Sequence, residues 1–437
     1  MDYGEALDWL MTQTPLFQNT GSKAYKEGLE NTFLIDAHTG HPHRLYPTIH
    51  IAGTNGKGSV AHTLAAILQA SGLRTGLYTS PHLVDFRERI KVDGIPVSKD
   101  FVVKFIENNR SFLEPLSPSF FEVTTAMAFS WFAEQKADVA VIETGLGGRL
   151  DCTNIITPVL SIITNIGYDH TQLLGDTLSK IAAEKAGIIK PHVPAVIGEH
   201  CEETAGVFRE KAAQVGAPIV FAQDNCKIFS YKQINPGLIV YEASGYPGLK
   251  SSLAGRCQPN NANTILTATD ILVRSGFTIT ERDVRKGFSD VCRMTGLAGR
   301  WQTLSENPLT ICDTGHNSHG FRYIARQLEE MSSAPDFGTL RIVLGMAGDK
   351  DISNVLEIIP HNAVYYFTQA SVKRAADSRE IRSKAMAAGL EGEAWPTVRE
   401  AYGKALSDSS PNDLIFVGGS TFVVADLLSS MKMTPSN

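Results

Sequence analysis

The stretch Ile49-His50-Ile51-Ala52-Gly53-Thr54-Asn55-Gly56-Lys57-Gly58-Ser59 constrains this chain more than any other. The apolar run from Tyr46 to Ala52 predicts a buried strand. Val60, Leu64, Ile67 and Leu68 then recur at helical spacing, and Gly72 stands where a C-terminal cap belongs. Strand, glycine-rich turn and helix in succession form the setting that a phosphate-binding loop needs. Glycines let backbone N–H groups converge on an anion, the helix N-terminus adds partial positive charge, and Lys57 adds a full one. Ser59 stands where a hydroxyl can reach Mg²⁺. The pattern G-x-x-x-x-G-K-[ST] is bent twice: Ile51 holds the first glycine position, and Gly58 intervenes before Ser59. A plain glycine turn is the competing reading, and the flanking strand and helix weigh against it.

With 437 residues, two or three domains are expected. Hydrophobic content of 43% and charged content of 20% describe a soluble globular protein. A net charge of −6 supplies no broad basic footprint, which argues against nucleic acid as the main partner. A local cationic pocket for small polyanions stays open. Cys152, Cys201, Cys226, Cys257, Cys292 and Cys312 form no C-x-x-C pair, so reduced thiols are expected rather than a disulfide framework or zinc site. The N-terminus lacks a basic start and an apolar core, and no apolar run approaches about twenty residues. A cytoplasmic enzyme without membrane attachment is the expectation.

Along the chain, Ala6, Leu7, Trp9 and Leu10 predict a short helix. His38, His41, His43 and His50 follow at no recognised ligand spacing and read as a solvated loop. The segment 20–45 matches no usable pattern. Arg74 to Thr79 predicts a strand ending at Ser80-Pro81-His82, where Ser80 either reaches the same Mg²⁺ or is a turn serine. Phe86, Arg87 and Arg89 either offer an aromatic face and cations to an anionic aromatic substrate or form a surface turn. Residues 100–136 look helical. Asp138 to Glu143 reads as a buried strand tipped by a carboxylate, followed by Gly145, Gly147 and Gly148, a geometry that holds Mg²⁺ for a nucleotide. Arg149 and Asp151 are candidate substrate contacts or a structural pair. Val159 to Ile166 predicts a strand leading to Asp169-His170, which either ligates a divalent ion or caps a helix. The next helix carries Lys185 among Ala182, Ala186, Ile188 and Ile189. If buried, its amine becomes neutral and can react with CO₂ to give a carbamate; a salt bridge to an acid is the alternative. Short strands and a helix occupy residues 192–250, and Pro259 to Asn263 opens a long helix. A domain boundary is placed at Thr295–Trp301. A new α/β alternation follows, with strands at Leu309–Cys312, Leu340–Met346, Val364–Thr368 and Leu414–Val417. Asn317 and the Gly418–Thr421 turn are expected to cap helices. The fold class is α/β: a P-loop-type ATPase domain with a parallel sheet, then a smaller Rossmann-like domain.

In order, the motifs are Gly53–Ser59, Thr79-Ser-Pro-His-Leu83 with Phe86–Ile90, Glu143–Asn154, Ile163–His170, Glu184-Lys-Ala-Gly-Ile-Ile-Lys190, Asn260–Asn263, Gly299-Arg-Trp-Gln302 and Asp313–Asn317. This set resembles the folylpolyglutamate synthase/dihydrofolate synthase family of the Mur ligase superfamily over nearly the whole chain. The inserted Gly58 is similar to that branch. The resemblance implies an ATP-binding domain at 1–296, a ligase domain at 297–437 and an active site between them. It implies an ATP-dependent ligase that joins L-glutamate to dihydropteroate or tetrahydrofolate through an acyl phosphate, working as a monomer. Ser59, Ser80 and Glu143 would hold one Mg²⁺; His170 and the carbamate of Lys185 would serve a second. Lys57 and the loop of Gly53, Thr54, Asn55, Gly56, Gly58 and Ser59 would bind the phosphates. Asn263 and Arg300 would grip ATP, Asp313 its ribose, and His316 the phosphates. Phe86, Arg87, Arg149 and Asp151 would face the pteroate acceptor. Two departures fall at the linker and ribose site: Leu297-Ala298-Gly299-Arg300 where the family often has Pro-Gly-Arg, and His316-Asn317-Ser318-His319 where it often has His-Asn-Pro-His. The alternatives are a Mur-type ligase acting on a peptidoglycan precursor, or a P-loop ATPase switch.

Overall fold

The computed structural model describes residues 1–14, 28–335, 337–348 and 352–432; of the segment 20–45, residues 20–27 lie outside it. The first sheet contains β1 (Thr48–Ala52), β2 (Thr75–Tyr78), β3 (Ile90–Val92), β4 (Ile95–Pro96), β5 (Val139–Glu143), β6 (Leu160–Ile163), β7 (Ala195–Ile197) and β8 (Ile219–Phe221). Its order is β4-β3-β2-β5-β1-β6-β7-β8. Pairing is parallel from β2 through β8 in that order, and β3 and β4 add an antiparallel edge. Central strands covered on both faces are buried along their whole length and mostly apolar, and every residue of β1 and β5 is buried, Thr48, His50 and Glu143 included. The register sets Ile51 opposite Glu143 and Ala52 opposite Ile163, so the loops leaving β1, β5 and β6 emerge side by side. In open α/β sheets, that edge is where ligands bind.

A second, antiparallel sheet contains β9 (Ile228–Asn235), β10 (Leu238–Ala243) and β11 (Tyr246–Ser251), in the order β11-β10-β9. The third contains β12 (Gln302–Glu306), β13 (Leu309–Asp313), β14 (Leu340–Leu344), β15 (Val364–Phe367), β16 (Gly392–Ala394) and β17 (Leu414–Gly418). Its order is β12-β13-β17-β14-β15-β16, parallel apart from β12. The α/β architecture with a second, smaller α/β unit is as the sequence predicts. Among the described residues no helix is long and apolar enough to cross a membrane.

Two local expectations change. Residues 100–136 form two helices, Lys99–Leu116 and Phe120–Glu134, not one. Pro118 disfavours continuation, Ser117 turns to a φ of +46°, and Ser119 and Glu122 cap the second helix reciprocally. The solvated-loop expectation fails in part: His38 is exposed but lies at the end of a helix, His41 is partly exposed, and His43 and His50 are buried. Asp36 is 4% exposed and meets His41 Nδ1 at 2.6 Å and His43 Nδ1 at 2.7 Å. His38 stacks on Phe112. His50 lies inside β1, bonded to Thr153 Oγ1 at 2.8 Å, and burial pushes its pKa down to about 3. One buried carboxylate thus takes up two rings that sequence spacing leaves unpartnered.

Asp36→Ala strips the buried His43 of that partner. An unsatisfied buried polar group costs roughly 1–3 kcal/mol, so the denaturant midpoint should fall accordingly. An unchanged midpoint would show that the cluster adds nothing to stability.

Candidate active site

The phosphate loop is held from several sides. Gly56, the N-cap of helix Lys57–Ala70, has a φ of +82°, and a Cβ there would lie 2.3 Å from Asn261 Oδ1. Backbone conformation and space therefore both demand glycine. The Asn55 amide donates to Asn165 Oδ1 at 2.9 Å, and Thr54 Oγ1 exchanges hydrogen bonds with the Gly167 backbone. Lys57 Nζ folds back to the carbonyls of Gly53 at 2.9 Å and Thr54 at 3.1 Å. Burial lowers its pKa, and the nearby charges of Glu143 and Asp169 oppose that shift.

Glu143 ends β5 beside this loop, 3% exposed, and accepts the Ser80 amide at 3.2 Å. Burial raises its pKa against the pull of Lys57. Ser59, 2% exposed, accepts Gln258 Nε2 at 3.3 Å. Glu143, Ser59 and Ser80 line one cleft. A buried carboxylate with so little hydrogen bonding, set among hydroxyl oxygens, is a donor set that suits a hard divalent cation. Among the described residues there is no metal-type group of three or more His, Cys, Asp or Glu side chains.

Lys185 reaches this centre because the loop after β5 packs tightly on its helix. A Cβ on Gly148 would lie 2.8 Å from the Glu184 carbonyl and 2.9 Å from that of Lys185. Lys185 is 3% exposed, and its Nζ donates to the Gly53 carbonyl at 3.0 Å. The alternative salt bridge does not form: the adjacent Glu184 pairs with Arg149 at 2.8 Å instead. Burial, reinforced by the charge of Lys57, lowers the Lys185 pKa to about 7. His170 also lines the cleft, with a φ of +49° and its Nε2 3.8 Å from Asp169 Oδ1.

The third sheet closes the other side. Arg300 donates to Thr314 Oγ1 and to the Gly299 carbonyl at 3.3 Å. Asp313 accepts the amides of Trp301 and Gly315, both at 2.7 Å, and burial raises its pKa against Arg300. His316 Nε2 lies 3.4 Å from Asp169 Oδ2. Asn55 and Asn317 exchange side-chain amide bonds of 3.2 and 3.0 Å, and His319 Nδ1 sits 3.0 Å from Asn55 Nδ2. Asn317 also caps its helix by accepting the Gly320 amide, and Ser420 accepts that of Val423, as expected. The resulting cleft brings together Lys57, Glu143, His170, Lys185, Arg300, Asp313 and His316.

Five expected contacts are placed elsewhere. Asn263 faces away, its amide donating to the Ala222 carbonyl and accepting the Lys227 amide, both at 2.7 Å. Asn261, two residues earlier on the helix, lines the cleft instead. Phe86 is 3% exposed and packs edge-on against Phe120 in the core. Arg87 pairs with Asp85 at 2.7 Å. Arg149 is taken by Glu184. Asp151 accepts the amides of Leu146 at 2.8 Å and Thr153 at 3.0 Å, which fastens its own loop. None of these last four side chains lines the cleft. Glu199, unremarked in the sequence, does line it and accepts Asn260 Nδ2 at 2.7 Å and Asn165 Nδ2 at 3.2 Å. It follows β7 as Glu143 ends β5, so the strand-end rule was the available signal.

Residues 51–264 match the Mur ligase middle domain, and residues 299–421 match the glutamate ligase domain of Mur ligases. The chain is 31% identical to the dihydrofolate synthase/folylpolyglutamate synthase of Bacillus subtilis, across 93% of this chain and 95% of that one. It is 32% identical to the Escherichia coli protein of the same description, across 94% and 93%. The fold matches E. coli FolC in complex with DHPP and ADP at a TM-score of 0.84, with 29% identity, covering 100% of this chain and 99% of that one. It matches a bifunctional folylpolyglutamate synthase/dihydrofolate synthase with Mn, AMPPNP and L-glutamate bound at 0.80, with 28% identity and coverage of 99% and 98%.

Gly56→Ala forces a Cβ into Asn261 at a φ that costs L-residues roughly 1–2 kcal/mol. Binding of ADP, followed by calorimetry, should weaken by about tenfold or more. Unaltered binding would remove the loop from the nucleotide site.

Proposed function

We infer the chemistry from one premise: the chain belongs to the dihydrofolate synthase/folylpolyglutamate synthase family of Mur-type ligases. It is an ATP-dependent ligase that joins L-glutamate to a pteroate or folate carboxylate, giving ADP and phosphate. The observation that best supports this is the single cleft in which the phosphate loop, Glu143, Lys185 and the third sheet's Arg300, Asp313 and His316 meet.

ATP lies with its phosphates on the amides of the Gly53–Ser59 loop and the N-terminus of the helix that follows, and with its ribose toward Asp313. The acceptor carboxylate attacks the γ-phosphorus, the bond to the β-phosphate oxygen breaks, and ADP leaves. Lys57 and Arg300 spread the charge that builds on the transferring group. The glutamate amine then attacks the acyl carbon, phosphate departs with the C–O electrons, and the nitrogen loses a proton. Ser59, Ser80 and Glu143 would hold one Mg²⁺ and His170 with a Lys185 carbamate a second, and bound ions there would screen and polarise the phosphates. The carbamate forms when the neutral amine adds to CO₂ and releases one proton. A buried amine titrating near 7 favours this, because much of it is uncharged at neutral pH.

An acyl phosphate must be kept from water until the amine arrives. The Asn55–Asn317 pair, joining the phosphate loop to the third sheet, supports a closed form that does so. We take residues 1–296 and 297–437 as the two closing domains. The enzyme works as a cytoplasmic monomer on small molecules, without membrane or nucleic acid.

The test is phosphate release from Mg-ATP and L-glutamate with dihydropteroate, with tetrahydrofolate, or without acceptor. Release should need both glutamate and an acceptor, and the preferred acceptor tells which activity dominates. Release indifferent to both would instead favour an ATPase switch. Lys185→Ala should lower turnover by roughly a hundredfold or more, a transition-state loss of about 2.7 kcal/mol, with partial rescue by small carboxylic acids. Full activity in that variant would rule out the carbamate.

A further inference from the structure

The helix Gln258–Arg274 meets the phosphate loop through two buried side chains of its first turn. Asn261 stands over Gly56, where a Cβ would lie 2.3 Å from its Oδ1. Gln258 reaches the other end of the loop, where its Nε2 donates to Ser59 Oγ at 3.3 Å. The two are joined, because Asn261 Nδ2 donates to Gln258 Oε1 at 2.9 Å. Both line the cleft. Gln258 belongs to neither the phosphate loop nor the third sheet, and the chemistry above gives it no task.

These bonds fix which way each group faces. A side-chain amide has an oxygen that only accepts and an NH₂ that only donates. Asn261 occupies the Gln258 oxygen, so the NH₂ is the end that meets Ser59. A hydroxyl has one proton and two lone pairs. With one lone pair taken by Gln258, the Ser59 proton points away from that amide, and the second lone pair is left for a further partner. A hydroxyl in a helix otherwise turns back to a carbonyl of the preceding turn, as Thr63 does on the Ser59 carbonyl at 2.9 Å. Gln258 holds Ser59 out of that default, on a cleft wall that Glu143 and Ser80 also line. Partners that orient a metal ligand from behind matter: losing one costs roughly ten- to hundredfold in metal affinity.

We propose that Gln258 is a positioning residue for the divalent ion, acting through Ser59 by holding that hydroxyl with a lone pair toward the cleft. This rests on Ser59 as an Mg²⁺ ligand and adds the side chain that orients it. Through Asn261 the same amide is tied to the wall over Gly56, so one helix turn sets both ends of the phosphate loop.

The variant is Gln258→Met, which keeps the length and drops the amide. ADP binding is followed by calorimetry in Mn²⁺ and again in EDTA, so the ratio of the two dissociation constants gives the ion's share. Binding in Mn²⁺ should weaken by roughly tenfold or more, and binding in EDTA should change by less than about twofold. Ser59→Ala should show the same metal-specific loss. In the double variant the loss should be no larger than in Ser59→Ala alone, because Gln258 then has nothing to orient. If Gln258→Met fails to fold, Gln258→Asn keeps a buried amide, falls one methylene short of Ser59 and should give the same split. Unchanged binding in Mn²⁺ would overturn the proposal. Equal losses in both media, the mark of a merely structural role, would do so too, as would losses that multiply in the double variant. A Ser59→Ala variant without metal-specific loss would take the ion away from Ser59 itself, and the proposal with it. That result is read from the single serine variant, so it is told apart from a failure of Gln258 alone.

Discussion

The centre of this molecule is organised by cations gathered in one cleft. Lys185 is buried there, and Lys57 and Arg300 converge on it from the phosphate loop and the third sheet, in a cleft that Glu143, Asp169 and Asp313 also line. Removing ammonium groups from water costs several kcal/mol each unless an anion is supplied. A bound triphosphate supplies it, and so does a carboxylate grown on Lys185. The strand register makes this possible: β1 lies between β5 and β6, so the phosphate loop, Glu143 and the Asn165–His170 turn leave the sheet as neighbours. Stability is spent at one edge of a buried, largely apolar sheet, where the rest of the core can carry it.

The same edge is tied to the third sheet by side chains far apart in sequence. Asn55 and Asn317 pair across 262 positions, and His316 leans on Asp169. Asn55 belongs to the phosphate loop, and its backbone amide is held by Asn165, which Glu199 holds in turn. The loop and the third sheet are therefore joined by direct hydrogen bonds. Ser318, standing where the family often has proline, leaves this arrangement intact, because Asn317 still caps its helix.

What the sequence makes legible follows from range. The strand–loop–helix around residues 53–59 is legible because its parts are contiguous, and the place of Glu143 because a carboxylate ends an apolar strand. Lys185 is found by its apolar neighbours along one helix. Asn263 is misplaced because Asn260-Asn-Ala-Asn263 gives no phase until the sheet that covers the helix is known; residues two apart on a helix face nearly opposite ways. Phe86, Arg87, Arg149 and Asp151 look like ligand contacts because their partners are hidden. Phe120 lies on another element, Glu184 is 35 residues away, and Asp85 and Thr153 are so close in sequence that the pairing passes for loop polarity. His43 is misread as solvated for a similar reason: Asp36, near the end of the preceding helix, folds beneath it. Glu199 is passed over because no glycine loop follows its strand to draw attention to it.

The most direct test of this charge-balanced centre is ¹³C NMR of the protein equilibrated with ¹³C-bicarbonate near pH 8, above the value of about 7 to which burial lowers Lys185. A lysine carbamate resonance should be present in the wild type and missing in Lys185→Arg. A wild type that turns over fully yet shows no such resonance, or shows one that survives in Lys185→Arg, would contradict the assignment of that anion to Lys185.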